Sequence, residues 1–390
     1  MGADRAGGRR QLSEVARRDG REEPAEVTAS RWRPYPYRDN SLNLFRLVLA
    51  ALVLVAHSYY IYGAGEGPHL HGENLGGWAV AGFFVLSGFL ITRSRIRTEA
   101  GPYLLHRIAR IFPAFIVCLL VIAFICGPIA MLLERGSLSG YFSTPTTPFQ
   151  YVWSNVTLYI DSYTIGSTLD SVPYAGVWNG SLWTLFYEFA CYIIVWVLGG
   201  LALFRRNAIL VGGVFILSLA AWILLPALER FGLDQSFGLL AKLAPFFFGG
   251  ALVYFLIDRQ GLNTTLALVG LAASTLLIAF VPRWGGQAAA PFLAYGLLWL
   301  SAVVPQPRWI ARNDVSYGFY IYAWPVQQLV ILSGGAALGL PLYMIAAGAF
   351  TLLLAWASWV AVERPAMLRV RPRGGHLRPP ETLVGPSRAA

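Results

Sequence analysis

The chain has 390 residues, of which 56% are hydrophobic and only 13% charged, and its mean hydropathy is +0.55. A soluble globular domain has about 25% charged residues, so this composition, with repeated apolar runs of about 20 residues, excludes an ordinary soluble protein and indicates a membrane protein. The net charge is +10, but the arginines lie between apolar runs and at both ends, a distribution that argues against a nucleic-acid partner.

Both ends of the chain are polar and rich in arginine. Residues 1–40 contain no apolar core segment, so they are not a signal peptide, and we expect a disordered basic arm in the cytoplasm. Residues 366–390, rich in Pro, Gly and Arg, are expected to form a disordered cytoplasmic tail. Between these ends, residues 41–365 are expected to form one transmembrane domain.

Ten apolar segments between the ends are long enough to be membrane spans. They lie at about 42–62, 77–93, 110–133, 182–204, 208–228, 237–257, 263–281, 287–304, 315–333 and 341–362. We therefore predict an all-α integral membrane protein, a bundle of about ten transmembrane helices. Because the second, eighth and ninth segments are short or polar, nine or eleven helices also fit the sequence.

The distribution of basic residues supports this count and orients the bundle. Cytoplasmic loops of membrane proteins carry an excess of Lys and Arg. With the N-terminus inside, 25 of the 30 Lys and Arg residues fall in inner segments. We predict that both termini are cytoplasmic and that the protein is a multi-pass protein of the inner or plasma membrane. The long loop 134–181 is then outside, and its segment 149–160 is a candidate for an amphipathic or a re-entrant piece in the membrane interface.

The first span carries Arg46 and His57 in otherwise apolar surroundings. A charge at the bilayer centre costs at least ~2.5 kcal/mol, so ionisable residues inside spans indicate function. Eleven residues of helix separate the two, which puts them on one helix face and about 16 Å apart along the axis. Arg46 then lies near the inner interface, and His57 lies about 8 Å below the outer end of the helix.

Glu188 ends the motif SLWTLFYE at the outer start of the fourth span, about 9 Å deep and therefore at the depth of His57. A buried neutral histidine can act as a general base, and a neighbouring carboxylate fixes its tautomer. We therefore predict a catalytic His57 oriented by Glu188. The alternative is structural, a core histidine bonded to a backbone carbonyl and a carboxyl that packs between helices. These two residues alone leave both alternatives open.

Arg107 and Arg110 lie three residues apart, and hence on one helix face, at the inner end of the third span. Two guanidinium groups on one face can bind phosphates bidentately, although snorkelling arginines that set the topology are the simpler interpretation. Glu363 lies at the inner end of the last span. We expect it to form a structural ion pair with Arg46 or Arg110.

Several further residues carry weaker signals. Ser87, Trp183 and Tyr320 are candidates for a substrate path, with helix packing or an interfacial aromatic belt as the alternatives. The cluster HLHGE at 69–73 has metal-ligating residue types, but it lies in a short outer loop and we predict no metal. The three cysteines lie inside apolar runs, so we predict neither a disulfide framework nor a thiolate metal site.

Taken in order along the chain, these motifs resemble the acyltransferase-3 family of integral membrane acyltransferases. The resemblance covers roughly residues 42–365 and rests on Arg46-x10-His57, GFFVLSGF at 82–89, Arg107-x-x-Arg110, SLWTLFYE at 181–188, DVSYGFYIYAWPV at 314–326 and Glu363-Arg364-Pro365. It implies a bundle of about ten helices. It also implies transfer of an acyl group, often acetyl, from cytoplasmic acyl-CoA to a hydroxyl group of a glycan or small molecule.

The resemblance also implies roles for individual residues. The family's essential histidine corresponds to His57, and its paired arginines correspond to Arg107 and Arg110 as the grip on the acyl-CoA phosphates. Two departures stand out. Ala323 occupies a position where many members have histidine, and we expect no esterase-like domain after the last span.

Together the residues and the resemblance predict a membrane O-acyltransferase. Acyl-CoA would dock on Arg107 and Arg110, Arg46 would steady a phosphate or a developing charge, and His57 would take the acceptor proton. Direct attack on the thioester and an acyl-enzyme are both compatible with these residues. The acceptor would be a glycan, a surface polysaccharide or a glycosylated small molecule. The alternative function is a proton-coupled transporter of a glycan or small anion, in which His57 and Glu188 relay protons.

Overall fold

Long apolar runs favour helices in a bilayer, because a helix satisfies its backbone hydrogen bonds within the segment. The structure, a computed structural model, describes residues 32–143, 145–228, 230, 232 and 234–370. The arm residues 1–31 and the tail residues 371–390 lie outside the described residues. The helices are α1 Leu42–Tyr62, α2 Leu75–Arg97, α3 Ala100–Arg135, α4 Pro148–Asn155, α5 Trp183–Leu198, α6 Ala202–Arg206, α7 Ala208–Leu228, α8 Gln235–Gln260, α9 Thr264–Phe280, α10 Gly285–Val303, α11 Arg308–Arg312, α12 Ser316–Leu332 and α13 Leu340–Arg369.

Local sequence signals set the ends and irregularities of these helices. α1 stops at Gly63, whose left-handed backbone (φ 87°) lets its N–H reach the carbonyls of Tyr59 and Tyr60. α2 starts at Asn74, whose side chain accepts a hydrogen bond from the Gly77 N–H. α3 and α13 each contain one π-helical turn, at Ile122–Cys126 and Trp359–Glu363.

Each of the ten predicted spans coincides with a helix of the structure. Within the described ranges, seven helices are long and apolar enough to cross a membrane, namely α1, α2, α3, α7, α8, α10 and α13. The shorter apolar helices α5 and α9 have 16 and 17 residues, and α12 has 17. The all-helical, multi-pass membrane class is confirmed, whereas the total of ten spans and the orientation of the termini stay predictions.

The helices differ in how much of their surface faces outward. α12 is buried along nearly its whole length and packs on α1 and α13, while α2 and α8, also largely buried, pack on each other. By contrast α7, α9 and α13 expose large apolar side chains, among them Leu217 (71% exposed), Phe280 (76%) and Ile345 (67%). Such a surface is costly in water and suits contact with lipid chains.

α2 and α8 approach each other through glycines. A Cβ added to Gly88 would lie 1.8 Å from the Phe247 carbonyl oxygen, and one added to Gly250 would lie 2.0 Å from the Val85 carbonyl oxygen. Backbone carbonyls cannot rotate away as side chains can. The glycines of α2 and α8 therefore allow the two helices to approach closely.

We accordingly expect Gly88→Ala to destabilise the bundle by about 1–3 kcal/mol, because the added methyl group forces α2 and α8 apart. The measurement is the thermal unfolding midpoint of the purified protein in detergent. Gly348→Ala in α13 is the matched control, since a Cβ there meets no atom within 4 Å and alanine favours a helix. Equal midpoints for both variants would show that the close approach is not required.

Two segments outside the helices pack on the bundle. In the loop 134–181, α4 has a capping box between Thr147 and Gln150 and exposes Phe149 and Trp153, while Trp178 is fully buried. Residues 32–40, assigned from sequence to the disordered arm, are packed rather than free. β1 (Trp32–Arg33) pairs antiparallel with Leu262–Asn263, and the Tyr35 hydroxyl bonds to the Ser301 hydroxyl over 2.9 Å. At the other end, α13 continues to Arg369, four residues into the predicted tail.

Candidate active site

A cavity of about 810 Å³ opens at the end of the bundle where the sequence predicts the outer side. Residues of α1, α2, α5, α8, α10 and α12 line it, together with the loop that precedes α5. His57 lies in its wall, as do two of the residues predicted for a substrate path, Trp183 and Tyr320. A large concave site with convergent polar groups is the usual form of a small-molecule site.

His57 is held in this wall by one hydrogen bond and two aromatic rings. Its Nδ1 lies 3.4 Å from the Ser181 hydroxyl, and its ring packs edge-on against Trp324 with 4.7 Å between ring centroids. Tyr60 lies on another side of the ring, at 5.7 Å. Among the hydrogen bonds of the described residues, none occupies Nε2. The imidazole therefore has one nitrogen held by the protein and one available to a substrate.

The loop before α5 places Ser181 beside His57. Asn179 donates a hydrogen bond from its side-chain amide to the Ile321 carbonyl over 2.8 Å, and Trp324 donates from its indole nitrogen to the Val177 carbonyl over 3.0 Å. A Cβ at Gly180 would lie 2.5 Å from the Trp324 ring, so only glycine permits this contact. The start of SLWTLFYE is thus tied directly to α12, where the motif YAWPV lies.

Glu188 lies elsewhere. Its Oε1 accepts hydrogen bonds of 2.6 Å from the hydroxyls of both Ser87 and Tyr192. No hydrogen bond of the described residues joins Glu188 to His57. Glu188 instead lines a second, smaller cavity of about 40 Å³, together with Arg46. The contact between His57 and Glu188 that was inferred from their predicted depth is therefore absent among the described residues.

The two cavities meet at a shared wall. Val80, Thr184 and Tyr320 line both of them. Within this wall the hydroxyls of Thr184 and Tyr320 lie 2.6 Å apart, and Tyr320 also donates to the Ser181 carbonyl over 2.8 Å. Arg46 thus faces a small cavity on one side of Tyr320, and His57 faces the large cavity on the other side.

At the end of the bundle predicted to be cytoplasmic, four charged side chains form one ionic cluster. The Asp314 carboxylate accepts from Arg46 and from Arg110, each over 2.7 Å, and Arg110 also contacts Glu363 over 3.3 Å. The expected pairing of Glu363 with Arg46 or Arg110 is therefore confirmed for Arg110. Burial by itself would raise the pKa of Asp314, but the guanidinium groups of Arg110 and Arg46 outweigh it and hold that pKa below its usual value.

Arg107, one turn from Arg110, is not part of this cluster. In the part of the chain that the structure describes, it has no hydrogen bond or ion pair, and its Nε is buried without a partner. Its guanidinium carbon lies 5.9 Å from the centroid of the Tyr103 ring. A partly buried cation without an ion-pair partner is costly, so Arg107 is suited to receive an anion.

In the segment HLHGE at 69–73, which has metal-ligating residue types, the His and Glu side chains each contact a different partner. His69 pairs with Glu66 over 3.3 Å, His71 contacts the Ala279 carbonyl over 2.9 Å, and Glu73 pairs with Lys242. Among the described residues there is no group of three His, Cys, Asp or Glu side chains that could hold a metal ion.

Two residues of this arrangement were not singled out from the sequence, Asp314 and Ser181. Both stand at the first position of a quoted motif, DVSYGFYIYAWPV and SLWTLFYE. The sequence did contain a signal for Asp314. It is a lone carboxylate beside the end of the ninth span that is predicted to be cytoplasmic, where it is a natural partner for Arg46. Serine at a helix start has many structural uses, so Ser181 carried no comparable signal.

Comparison with known proteins gives three findings. A family model described as an acyltransferase domain (acyltransferase-3) matches residues 39–360. An O-acetyl transferase of Shigella phage Sf6 is 31% identical over 351 residues, which cover 86% of this chain and 98% of that protein. Nodulation protein 10 of Rhizobium leguminosarum bv. viciae is 27% identical over 377 residues, covering 84% of this chain and 93% of that protein. No solved structure matches the chain.

Proposed function

Because the chain belongs to the acyltransferase-3 family, whose domain model spans residues 39–360, we propose that it is an O-acyltransferase that moves an acetyl group from cytoplasmic acetyl-CoA to a sugar hydroxyl. The acceptor is a glycan, a surface polysaccharide or a glycosylated small molecule, and the enzyme works in the inner or plasma membrane. The similarity to an O-acetyl transferase supports the acyl group and the oxygen acceptor.

The observation that carries this proposal is the pair of cavities that meet at Tyr320. Arg46 lines the small cavity, on the side of Tyr320 toward the predicted cytoplasmic end where acetyl-CoA is available, and His57 lines the large outer cavity. Donor and acceptor would therefore approach from opposite sides of one wall. This arrangement suits an enzyme that uses a cytoplasmic donor to modify an acceptor outside.

On the donor side, Arg107 is the proposed contact for a CoA phosphate. Its guanidinium has donors to spare, whereas Arg110 is already engaged by Asp314 and Glu363. We assign Arg110 the task of holding Asp314, and through it Arg46, in place. Arg46 keeps part of its guanidinium toward the small cavity, where it can stabilise negative charge on the reacting thioester oxygen.

On the acceptor side, His57 is the proposed general base. In the tautomer whose Nδ1–H donates to the Ser181 hydroxyl oxygen, Nε2 is unprotonated and can take the proton of the acceptor hydroxyl. As the proton leaves, the acceptor oxygen forms a bond with the acetyl carbon and the thioester carbon–sulfur bond breaks. The CoA thiolate then takes up a proton, so the products are the acetyl ester and free CoA. Glu188, without contact to His57, is assigned to holding Ser87 and Tyr192 around the small cavity.

The alternative function, proton-coupled transport, required a relay from His57 to Glu188. Among the described residues, His57 bonds to Ser181, whereas Glu188 bonds to Ser87 and Tyr192, and no hydrogen bond joins His57 to Glu188. The family match and the O-acetyl transferase relative also favour acyl transfer. We therefore retain the acyltransferase as the single proposed function.

The donor site gives a direct test. We expect Arg107→Ala to weaken acetyl-CoA binding by about 10- to 100-fold, because a charge-assisted hydrogen bond contributes about 1.5–3 kcal/mol. The measurement is calorimetric titration of the purified protein with acetyl-CoA. Arg312→Ala, which removes an exposed arginine at the same predicted face, is the control and should bind like the wild type.

Two results would contradict the donor assignment. If Arg107→Ala binds acetyl-CoA as tightly as the Arg312→Ala control, the phosphates are held elsewhere. If the wild-type protein neither binds nor hydrolyses acetyl-CoA, the proposed donor is wrong and another acyl carrier must be sought.

A further inference from the structure

The large cavity contains Lys242, which is the only lysine of the chain. It lies seven residues into α8, about 10 Å from the start of that helix. A lysine at such a depth is expensive unless it faces a cavity and finds a partner. Lys242 does both, because its ammonium group forms an ion pair with Glu73 and both side chains remain partly exposed, at 31% and 26%. The pair is thus accessible from the cavity and not sealed inside the bundle.

The surrounding wall is shaped to hold this pair in place. The Glu73 carboxylate lies over Gly77, where an added Cβ would be 1.7 Å from a carboxylate oxygen, so a larger residue at 77 would displace the carboxylate from its present position. Gln287, whose side chain is 5% exposed, donates weakly to the Lys242 backbone carbonyl over 3.4 Å. Its side-chain carbonyl oxygen has no hydrogen-bond partner among the described residues. The wall therefore presents an ammonium group, a carboxylate and an amide oxygen together.

These groups match the chemistry of a sugar. Trp78, Trp183 and Trp222 also line the cavity, and indole rings pack well on the apolar C–H faces of a pyranose. Hydroxyl groups donate and accept at once, so one sugar can bond to Glu73, Lys242 and Gln287 together. The cavity is lined by two carboxylates and two basic side chains, namely Glu66, Glu73, Lys242 and Arg283. With no excess of positive charge, the cavity favours an uncharged sugar over an acidic one.

We propose that Glu73, Lys242 and Gln287 form the acceptor subsite of the large cavity and that they bind an uncharged sugar unit by its hydroxyl groups. The claim that the bound sugar is acetylated rests on the proposed function. The claim that a sugar binds to these residues does not. The subsite determines which sugar presents a hydroxyl to His57. It therefore acts on acceptor choice and not on the donor.

The single lysine allows a test that needs no knowledge of the natural acceptor. The purified protein is treated with an amine-reactive acetylating reagent, and acetylation of the Lys242 peptide is followed by mass spectrometry. The probes are the methyl glycosides of glucose, galactose and mannose, with methyl glucuronide as the acidic counterpart of the glucoside. We expect at least one neutral glycoside to slow Lys242 labelling at least fivefold at 100 mM, and the glucuronide to protect less.

A variant separates binding from a merely structural ion pair. Glu73→Gln is expected to raise about tenfold the concentration of neutral glycoside that halves the rate of Lys242 labelling, since a charge-assisted hydrogen bond is lost. Asp170→Asn, a charge removal in the outer loop, should leave that concentration unchanged. If no neutral glycoside protects Lys242, or if the glucuronide protects best, the subsite as proposed is overturned. Acetyl-CoA titration of the same wild-type sample reports independently on the proposed function.

Discussion

Replacing His57 by glutamine is expected to lower kcat for acetyl transfer by about 10²- to 10⁴-fold, the usual contribution of a positioned general base. Glutamine is similar in size and can still bond to Ser181, but it cannot take a proton at the position of Nε2. Acetyl-CoA binding should not change, because the proposed phosphate contact lies at the other end of the bundle. The measurement is transfer of radiolabelled acetyl from acetyl-CoA to surface glycan in membranes that contain each variant.

Two comparisons sharpen this prediction. His106→Gln removes another histidine, near the start of α3 at the end of the bundle predicted to be cytoplasmic, where its Nε2 contacts the Val370 carbonyl over 3.0 Å; this variant should retain activity. Ser181→Ala removes the group that holds Nδ1, so it should reduce kcat less than His57→Gln and shift the pH profile of the reaction. A His57→Gln enzyme with more than a tenth of wild-type activity would exclude His57 as the general base.

Replacing Asp314 by alanine is expected to destabilise the protein by about 3–5 kcal/mol, the cost of removing one partner from a buried ionic cluster. Asp314 is the one carboxylate that contacts both Arg46 and Arg110, each over 2.7 Å, and its side chain is only 16% exposed. Without it, Arg46 has no ion-pair partner among the described residues, and Arg110 keeps Glu363. The measurement is the free energy of unfolding, or the thermal midpoint in detergent if unfolding is irreversible.

A second ion pair at the same predicted face provides the control. Arg97 and Asp258 contact each other over 3.3 Å, but their side chains are 54% and 39% exposed. Asp258→Ala should therefore cost at most about 1 kcal/mol, because water replaces the lost partner. If Asp314→Ala is no more destabilising than Asp258→Ala, the cluster does not hold α1, α3 and α12 together.

The helices themselves follow closely from the sequence. The first span was predicted at 42–62, and α1 occupies Leu42–Tyr62. The reason is physical, since apolar length, flanking arginines and a glycine stop act locally along the chain. The pairing of Arg110 with Glu363 was also predictable, because both had to lie at the inner ends of their helices.

The contacts between helices did not follow in the same way. Apolar length and charge predict how deep a residue lies in the membrane, and on that basis His57 and Glu188 were expected to be partners. Depth leaves the rotation and the neighbours of each helix undetermined, and these depend on close packing such as that of Gly88 and Gly250 between α2 and α8. Only the tertiary structure therefore decided that His57 bonds to Ser181, that Glu188 faces Arg46 across the smaller cavity, and that Lys242 meets Glu73 in the larger one.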